Sequence, residues 1–292
     1  MSDCKKAAVR CLLRGLGSLP LPLIHVLAAL SSLLLLVLPN RLQQVSGQQL
    51  RYCLPELGWA RRRSLVVASL GHSMMAALEA PAIWFGPERR LRRWLRAPEA
   101  AAQLASLRAQ GRGVILLCPH WGAWELAGLF CAAQGPMTSL YKPQKGLMEA
   151  LILEGRSRLG AQLVPTSPAG VKQLLSALKR GGMVGILPDH DPPEGSGVYA
   201  PLFGHPAHTM ELVSKLAART GAPVWFCLAE RRPLRGFRIG LQAAPVAVAD
   251  PQQGPAALNA GVEAVIRAAP GQYWWSYPRY RRRPPGSPDP YA

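Results

Sequence analysis

The longest apolar run in the chain, residues 19–38, contains no Asp, Glu, Lys or Arg and is interrupted only by Pro20, Pro22, His25 and the pair Ser31-Ser32. The two prolines favour a helix starting near residue 22, which leaves roughly 17 residues, close to the shortest length that crosses a bilayer. Lys5, Lys6, Arg10 and Arg14 precede the run and no small-x-small cleavage pattern follows it. It therefore reads as a retained membrane anchor in preference to a cleaved signal or a buried helix of a soluble domain. The basic flank in front favours a cytoplasmic N-terminus. A segment lying in one leaflet, or a counterweight from Arg61, Arg62 and Arg63, would keep the following domain on the cytoplasmic face.

Residues 50–84 follow a helical pattern with a break at Pro55. Residues 87–96, PERRLRRWLR, place Leu91, Trp94 and Leu95 on one stripe among five arginines, a helix suited to a lipid surface, to an acidic protein, or to a plain solvated face. Beyond that point short apolar runs alternate with helical periods. Strands are expected at 114–117, 137–141, 162–164, 183–187, 223–228 and 237–241, and helices at 123–133, 147–159, 169–179, 209–219 and 256–268. Such alternation predicts an α/β fold with a mixed central sheet covered by helices on both faces, behind an N-terminal hydrophobic anchor helix. The Pro- and Gly-rich stretch 188–206 is too long for an idle connection and is expected to serve a site. The division expected is an anchor over 1–40, one catalytic domain over 41–284, and a tail over 285–292 that reads as disordered by composition.

The first of these strands, Val114-Ile-Leu-Leu117, has no polar alternation, which implies burial on both faces. Pro119 and Gly122 end it, and the next helix begins near Ala123, so His120 falls on a strand-to-helix turn. Inside one helix, residues five apart point about 140° away from each other. With His120 outside the helix and Glu125 in its first turn, the two side chains can meet. A carboxylate that fixes the tautomer of a neutral imidazole and stabilises its protonated form makes that imidazole a general base. The helix N-terminus also favours an ionised Glu125 and an incoming anion. The plainer alternative is a buried histidine bonded to whichever polar group lies nearby.

Charge narrows the partners. The 292-residue chain carries a formal net charge of +18, which calls for an anionic partner or surface. No nucleic-acid module is recognisable, and the arginines alternate with Trp and Leu, so anionic lipid and an acidic protein fit better than nucleic acid. The six cysteines show no C-x2-C pairing and read as reduced core thiols of a cytoplasm-facing protein. Cys118, two residues before His120, is a packing residue on this reading and not a nucleophile. Asp189, His190, Asp191, Glu194, His205 and His208 lack a compact ligand spacing, so no metal is expected. Arg156 and Arg158 lie two apart on a helix and face different ways, so one of them, Arg156 by preference, is expected to enter a site as partner of a phosphate or an oxyanion.

The stretch His120-Trp-Gly-Ala-Trp-Glu125-Leu126 resembles the His-x4-Asp/Glu motif of the lysophospholipid acyltransferase superfamily, and within it the bacterial lipid A biosynthesis (HtrB-like late) acyltransferases. The likeness continues through Tyr141-Lys-Pro143, Arg156-x-Arg158-x-Gly160, the Gly185 to Pro192 run with Asp189, Gly197 to Gly204, and Gln272-Tyr-Trp-Trp-Ser-Tyr277. It covers about 49–284. Pro278 departs from the lysine or similar polar residue usual there, and Pro193-Glu-Gly-Ser196 only echoes the Pro-Glu-Gly-Thr motif of glycerolipid acyltransferases.

The resemblance implies a membrane-associated O-acyltransferase on the cytoplasmic face of a bacterial inner membrane. It would move an acyl chain from acyl carrier protein to a hydroxyl of an anionic glycolipid, a lipid A precursor, without a cofactor. His120 and Glu125 would be catalytic, with Tyr141, Arg156, Arg158 and Asp189 around the substrates. A lysophospholipid or another glycolipid or amine as acceptor, or a non-catalytic basic peripheral-membrane protein, are the alternatives.

Overall fold

The computed structural model describes residues 3–292, with side chains from residue 8 onward. Four helices come first: α1 (Asp3–Ser18), α2 (Leu21–Val37), α3 (Arg41–Cys53) and α4 (Trp59–Phe85). After α5 (Glu88–Trp94) and α6 (Pro98–Ala109), strands and helices alternate: β1 (Val114–Leu117), α7 (Trp124–Ala133), β2 (Met137–Tyr141), α8 (Leu147–Arg156), β3 (Gln162–Pro165), α9 (Pro168–Lys179) and β4 (Met183–Ile186). The chain closes with β5 (Gly197–Leu202), β6 (His205–Met210), α10 (Leu212–Thr220), β7 (Val224–Arg232), β8 (Gly236–Ala243) and α11 (Gly254–Ala268).

Six strands form one sheet in the order β3-β2-β4-β1-β7-β8. All pairs are parallel except β7 with β8. The unbroken apolar runs of β1 and β4 follow from their position, since both are buried along their whole length in the middle of the sheet. Ile115, Leu117, Val184 and Ile186 face one core, shared with α9, α10 and α11. Val114, Leu116, Cys118 and Met183 face the other, shared with α5, α6 and α7. The long helix α4 serves both, through Leu65, Val66 and Leu70 near its start and Ala82 and Ile83 near its end. This is the α/β arrangement, a mixed sheet covered on both faces, that the periodicity predicts.

The N-terminal apolar run behaves differently from a free anchor. α2 turns Leu21, Ile24, His25, Ala28 and Ser32 inward and packs along α4, while Leu23, Val26, Leu27, Leu30, Leu33 and Leu34 face outward. The inward residues recur at helical spacing and are partly small or polar, which suits a helix-packing face better than acyl chains. Among the described residues only α4 is by itself long and apolar enough to cross a membrane; α1 and α2 qualify only as a pair, and that pair is bent by 108° at its break.

Three other local expectations also change. The stretch read as one long loop contains the antiparallel hairpin β5–β6, closed by Phe203 and Gly204 at φ 52 and 76. Positive φ at both turn positions is what a tight two-residue hairpin requires, and Pro201 and Pro206, tolerated on a two-stranded ribbon, hide the strand pattern. In α5 the apolar stripe is taken up by the fold, with Leu91 and Trp94 buried, so only its exposed arginines remain for a partner. At the C-terminus, Tyr291 accepts a hydrogen bond from the Tyr280 amide at 3.0 Å and its carbonyl accepts from Gln48, so the tail is docked on α3.

Candidate active site

β1 and β4 are hydrogen-bonded neighbours in which Leu117 stands opposite Ile186. Three residues beyond each lie His120 and Asp189, so the parallel register delivers them to the same point at the C-terminal edge of the sheet. The His120 amide donates to Asp189 Oδ2 and the ring Nδ1 lies on Asp189 Oδ1, both at 2.9 Å. Both residues are buried. Burial raises the Asp189 carboxyl, but the charge and hydrogen bonds of His120, with His190, outweigh it and hold it well below the usual carboxylate range. An ionised carboxylate on Nδ1 requires the proton there, which leaves Nε2 as the basic nitrogen.

The turn carrying His120 is fixed on every side. Trp274 N–H donates to the His120 carbonyl at 3.0 Å, Gly122 N–H to the Gln272 carbonyl at 3.1 Å and Ala123 N–H to the Ala229 carbonyl at 2.8 Å. Trp121 bridges to Tyr273 in antiparallel fashion. Gly122 is at φ 59, and a Cβ there would stand 2.2 Å from the Ala229 oxygen, so only glycine fits. The His120 ring stacks on His190 with centroids 3.7 Å apart, and His190 stacks in turn on Tyr277 at 3.9 Å. Trp124 and Trp274 flank His120 at 5.2 Å. Burial and the neighbouring His120 push the His190 ring down to about 3, so it is a neutral stacking partner.

Among the described residues the hydrogen bonds of the Glu125 side chain go to Arg156 and Trp84 and not to His120. From the first turn of α7 its carboxylate takes Arg156 in two bonds, to Nε at 3.0 Å and Nη2 at 2.5 Å, and accepts from Trp84 Nε1 at 3.1 Å. Burial raises the Glu125 carboxyl, and the Arg156 charge and these bonds more than offset it, so it lies below its ordinary range. Trp84 can reach it because α8 has Gly155 at the contact, where any Cβ would overlap the indole. Arg158 turns away and caps the end of α4 through the carbonyls of Ile83 and Gly86. Tyr141, at the end of β2, donates to Glu149 at 2.7 Å, which raises its hydroxyl.

A narrow cleft with a cavity volume of about 50 Å³ opens beside this pair, walled by Glu125, Arg156, Trp124, Leu129, Met137, Leu140 and Leu163. Trp124 is common to the cleft and to the rings around His120. Cys118 also reaches its wall from within the sheet. Of the residues weighed as metal ligands, His205 lies on the Tyr52 ring and carbonyl, and His208 pairs with Asp191 at 2.7 Å.

Residues 7–282 match the sequence model of the family described as Bacterial lipid A biosynthesis acyltransferase. The chain belongs to that family. It is similar to the Lipid A biosynthesis lauroyltransferase of Escherichia coli (strain K12), at 30% identity over 279 residues, covering 94% of this chain and 90% of the relative. The palmitoleoyltransferase of the same organism is 26% identical, over 85% and 81% of the two chains, and the myristoyltransferase 24% identical, over 83% and 76%. As a member of the lipid A biosynthesis acyltransferases, this chain is an acyltransferase.

For a lipid A biosynthesis acyltransferase the site thus contains more than the sequence motif. The Asp189 pairing, the rings of His190, Trp274 and Tyr277, and the Trp84 contact to Glu125 all come from segments distant in sequence. The family resemblance pointed to the segments that carry Asp189, His190, Trp274 and Tyr277, and only the β1–β4 register shows that Asp189 meets His120.

Proposed function

We propose that this acyltransferase moves a fatty acyl chain from the thioester of acyl carrier protein to a hydroxyl of a lipid A precursor, at the cytoplasmic face of a bacterial inner membrane. The observation that carries the mechanism is the Asp189 carboxylate on His120 Nδ1 and on its amide. With Nδ1 protonated, Nε2 takes the proton from the acceptor hydroxyl as its oxygen attacks the thioester carbonyl. The tetrahedral intermediate then expels the carrier thiolate, which recovers that proton from His120. Asp189 stabilises the transient imidazolium. No acyl-enzyme and no cofactor take part.

Glu125 and Arg156 act as one unit in this scheme. Glu125 engages Nε and Nη2 of the guanidinium, which leaves Nη1 for the acceptor phosphate or the developing oxyanion at the cleft. The apolar wall formed by Leu129, Met137, Leu140 and Leu163 suits the acyl chain. Tyr141 and Arg158 border the site without entering this chemistry.

The test is transfer by the purified protein in detergent, with acyl carrier protein thioesters as donors and a lipid A precursor as acceptor. His120→Ala and Asp189→Asn should each lower kcat on the order of 10²–10⁴-fold with little change in melting temperature, the range general acid–base catalysis supplies. Glu125→Gln should act chiefly through KM for the acceptor. Transfer to a lysophospholipid in preference to the lipid A precursor would replace the acceptor named here, and a folded His120→Ala with wild-type kcat would remove the base.

A further inference from the structure

A second polar cluster lies behind the catalytic turn, buried as deeply as the site itself. Glu79 of α4, Arg231 of β7 and His25 of α2 are all essentially inaccessible to solvent. Arg231 binds Glu79 in fork geometry, Nε to Oε1 at 2.7 Å and Nη2 to Oε2 at 2.8 Å. Its Nη2 also donates to the Gly122 carbonyl at 2.9 Å, and its Nη1 to His72 Nδ1 at 3.1 Å. The backbone of Arg231 is locked to the Gln272 side chain in both directions, at 2.9 and 3.1 Å, while the Gln272 carbonyl receives Gly122 N–H. Gly122 is two residues from His120, and only a glycine fits there.

The tautomer of His25 follows from its partners. Leu234 N–H donates to His25 Nδ1 at 2.8 Å, so Nδ1 is the acceptor and the proton sits on Nε2, which donates to Glu79 Oε1 at 2.7 Å. Leu234, at the tip of the β7–β8 hairpin, holds a left-handed φ of 65, a conformation a leucine keeps only where the surroundings impose it. One charge of each sign, with neutral imidazoles around them, makes a cluster with no net charge. It runs without a gap from α2 through α4 and β7 to the backbone of the catalytic turn.

We propose that His25, Glu79 and Arg231 are positioning residues for His120, and that the apolar helix α2 is thereby part of the catalytic apparatus as well as of the outer surface. This rests on His120 being the base of the acyl transfer described above. Glu79 aims the guanidinium, the guanidinium holds the Gly122 carbonyl, and the turn so fixed keeps the His120 ring on Asp189. His25 supplies the remaining bond on Glu79 Oε1 and ties the carboxylate to α2.

His25→Leu is the informative variant, because it exchanges one neutral side chain for another and leaves the Glu79–Arg231 pair whole. Two readouts are needed: steady-state transfer, and the ring resonances of His120 in protein labelled with ¹⁵N-histidine, which require no substrate. His25→Leu should lower kcat tenfold or more with the acceptor KM within twofold, and should shift or broaden the His120 Nδ1–H signal. His25→Gln, whose amide can still donate to Glu79, should recover kcat to within threefold of wild type. A folded His25→Leu with wild-type kcat, or with reduced kcat but an unmoved His120 signal, overturns the proposal. Should His25→Leu not fold, Arg231→Lys decides by the same readouts, since an ammonium can pair with Glu79 but cannot also fork to Gly122. If the wild-type protein transfers no acyl chain, the reading of the reaction falls, while the His120 resonance still decides the coupling.

Discussion

Pro119 and Gly122 close a fully apolar strand and set His120 on the turn, but nothing so local supplies the carboxylate on its ring. Spacing offered Glu125, five residues on, but the first turn of α7 aims that side chain at Arg156 and Trp84, and the partner, Asp189, comes from just past the end of β4, 69 residues away. No local pattern encodes which strands are neighbours, so the pairing needed the sheet order. The two arginines, two apart on a helix, point different ways: Arg156 pairs with Glu125 and Arg158 reaches the Gly86 carbonyl. The stacked His190 brings a pH dependence of its own. Its folded value is about 3 against roughly 6.5 for an exposed histidine, so below pH 6.5 the unfolded chain binds the proton that the folded chain refuses. That part of the stability is complete above pH 6.5 and is lost as the pH falls toward 3. His72, lowered to about 4, acts in the same sense. Melting temperature measured between pH 7 and 4.5 should therefore fall, and His190→Phe, which keeps the stack, should flatten the decline without abolishing it. An unchanged slope would mean that His190 is protonated in the fold.

Element by element, the alternation of short apolar runs with helical periods marked the strands and helices of the central sheet to within a few residues. It failed where prolines stand in a ribbon, as in β5 and β6, and where composition alone spoke for disorder, as in the tail that Tyr291 docks. The N-terminal run shows why a hydropathy pattern cannot by itself assign a helix to a bilayer. Leucines repeat around all of α2, and only the structure separates the face on α4, with His25 hydrogen-bonded to Glu79, from the face left outward. Deleting residues 1–40 would strip that cover from α4 and leave one Glu79 oxygen without its imidazole partner. Removing one member of a buried polar cluster costs about 1–3 kcal/mol, and the exposed apolar face adds to it. The truncated protein should show a lower melting temperature in detergent and little transfer activity. A monodisperse deletion protein with wild-type kcat would show that the first two helices only tether.

On the scale of the molecule, the proposed membrane attachment would rest on two features of this basic enzyme. One is apolar: Leu27, Leu30 and Leu34 stand exposed on one face of α2 at helical spacing, with Leu23, Val26 and Leu33 beside them. The other is electrostatic, a net charge of +18 with exposed arginines on α5 and at the start of α4. The apolar part scales with area at roughly 25 cal/mol per Å² and is indifferent to salt. The charged part contributes on the order of 1 kcal/mol per arginine near an anionic bilayer and fades as the Debye length shrinks to about 3 Å at 1 M salt. Replacing Leu27, Leu30 and Leu34 together by Asp changes only outward side chains, so the fold and the His25 contact should persist. In sedimentation with vesicles containing phosphatidylglycerol, wild-type protein should stay bound in 1 M salt. The triple variant should bind at low salt and be released as salt rises. Its retention at 1 M salt would move the principal membrane contact from α2 to the remaining apolar helix, α4.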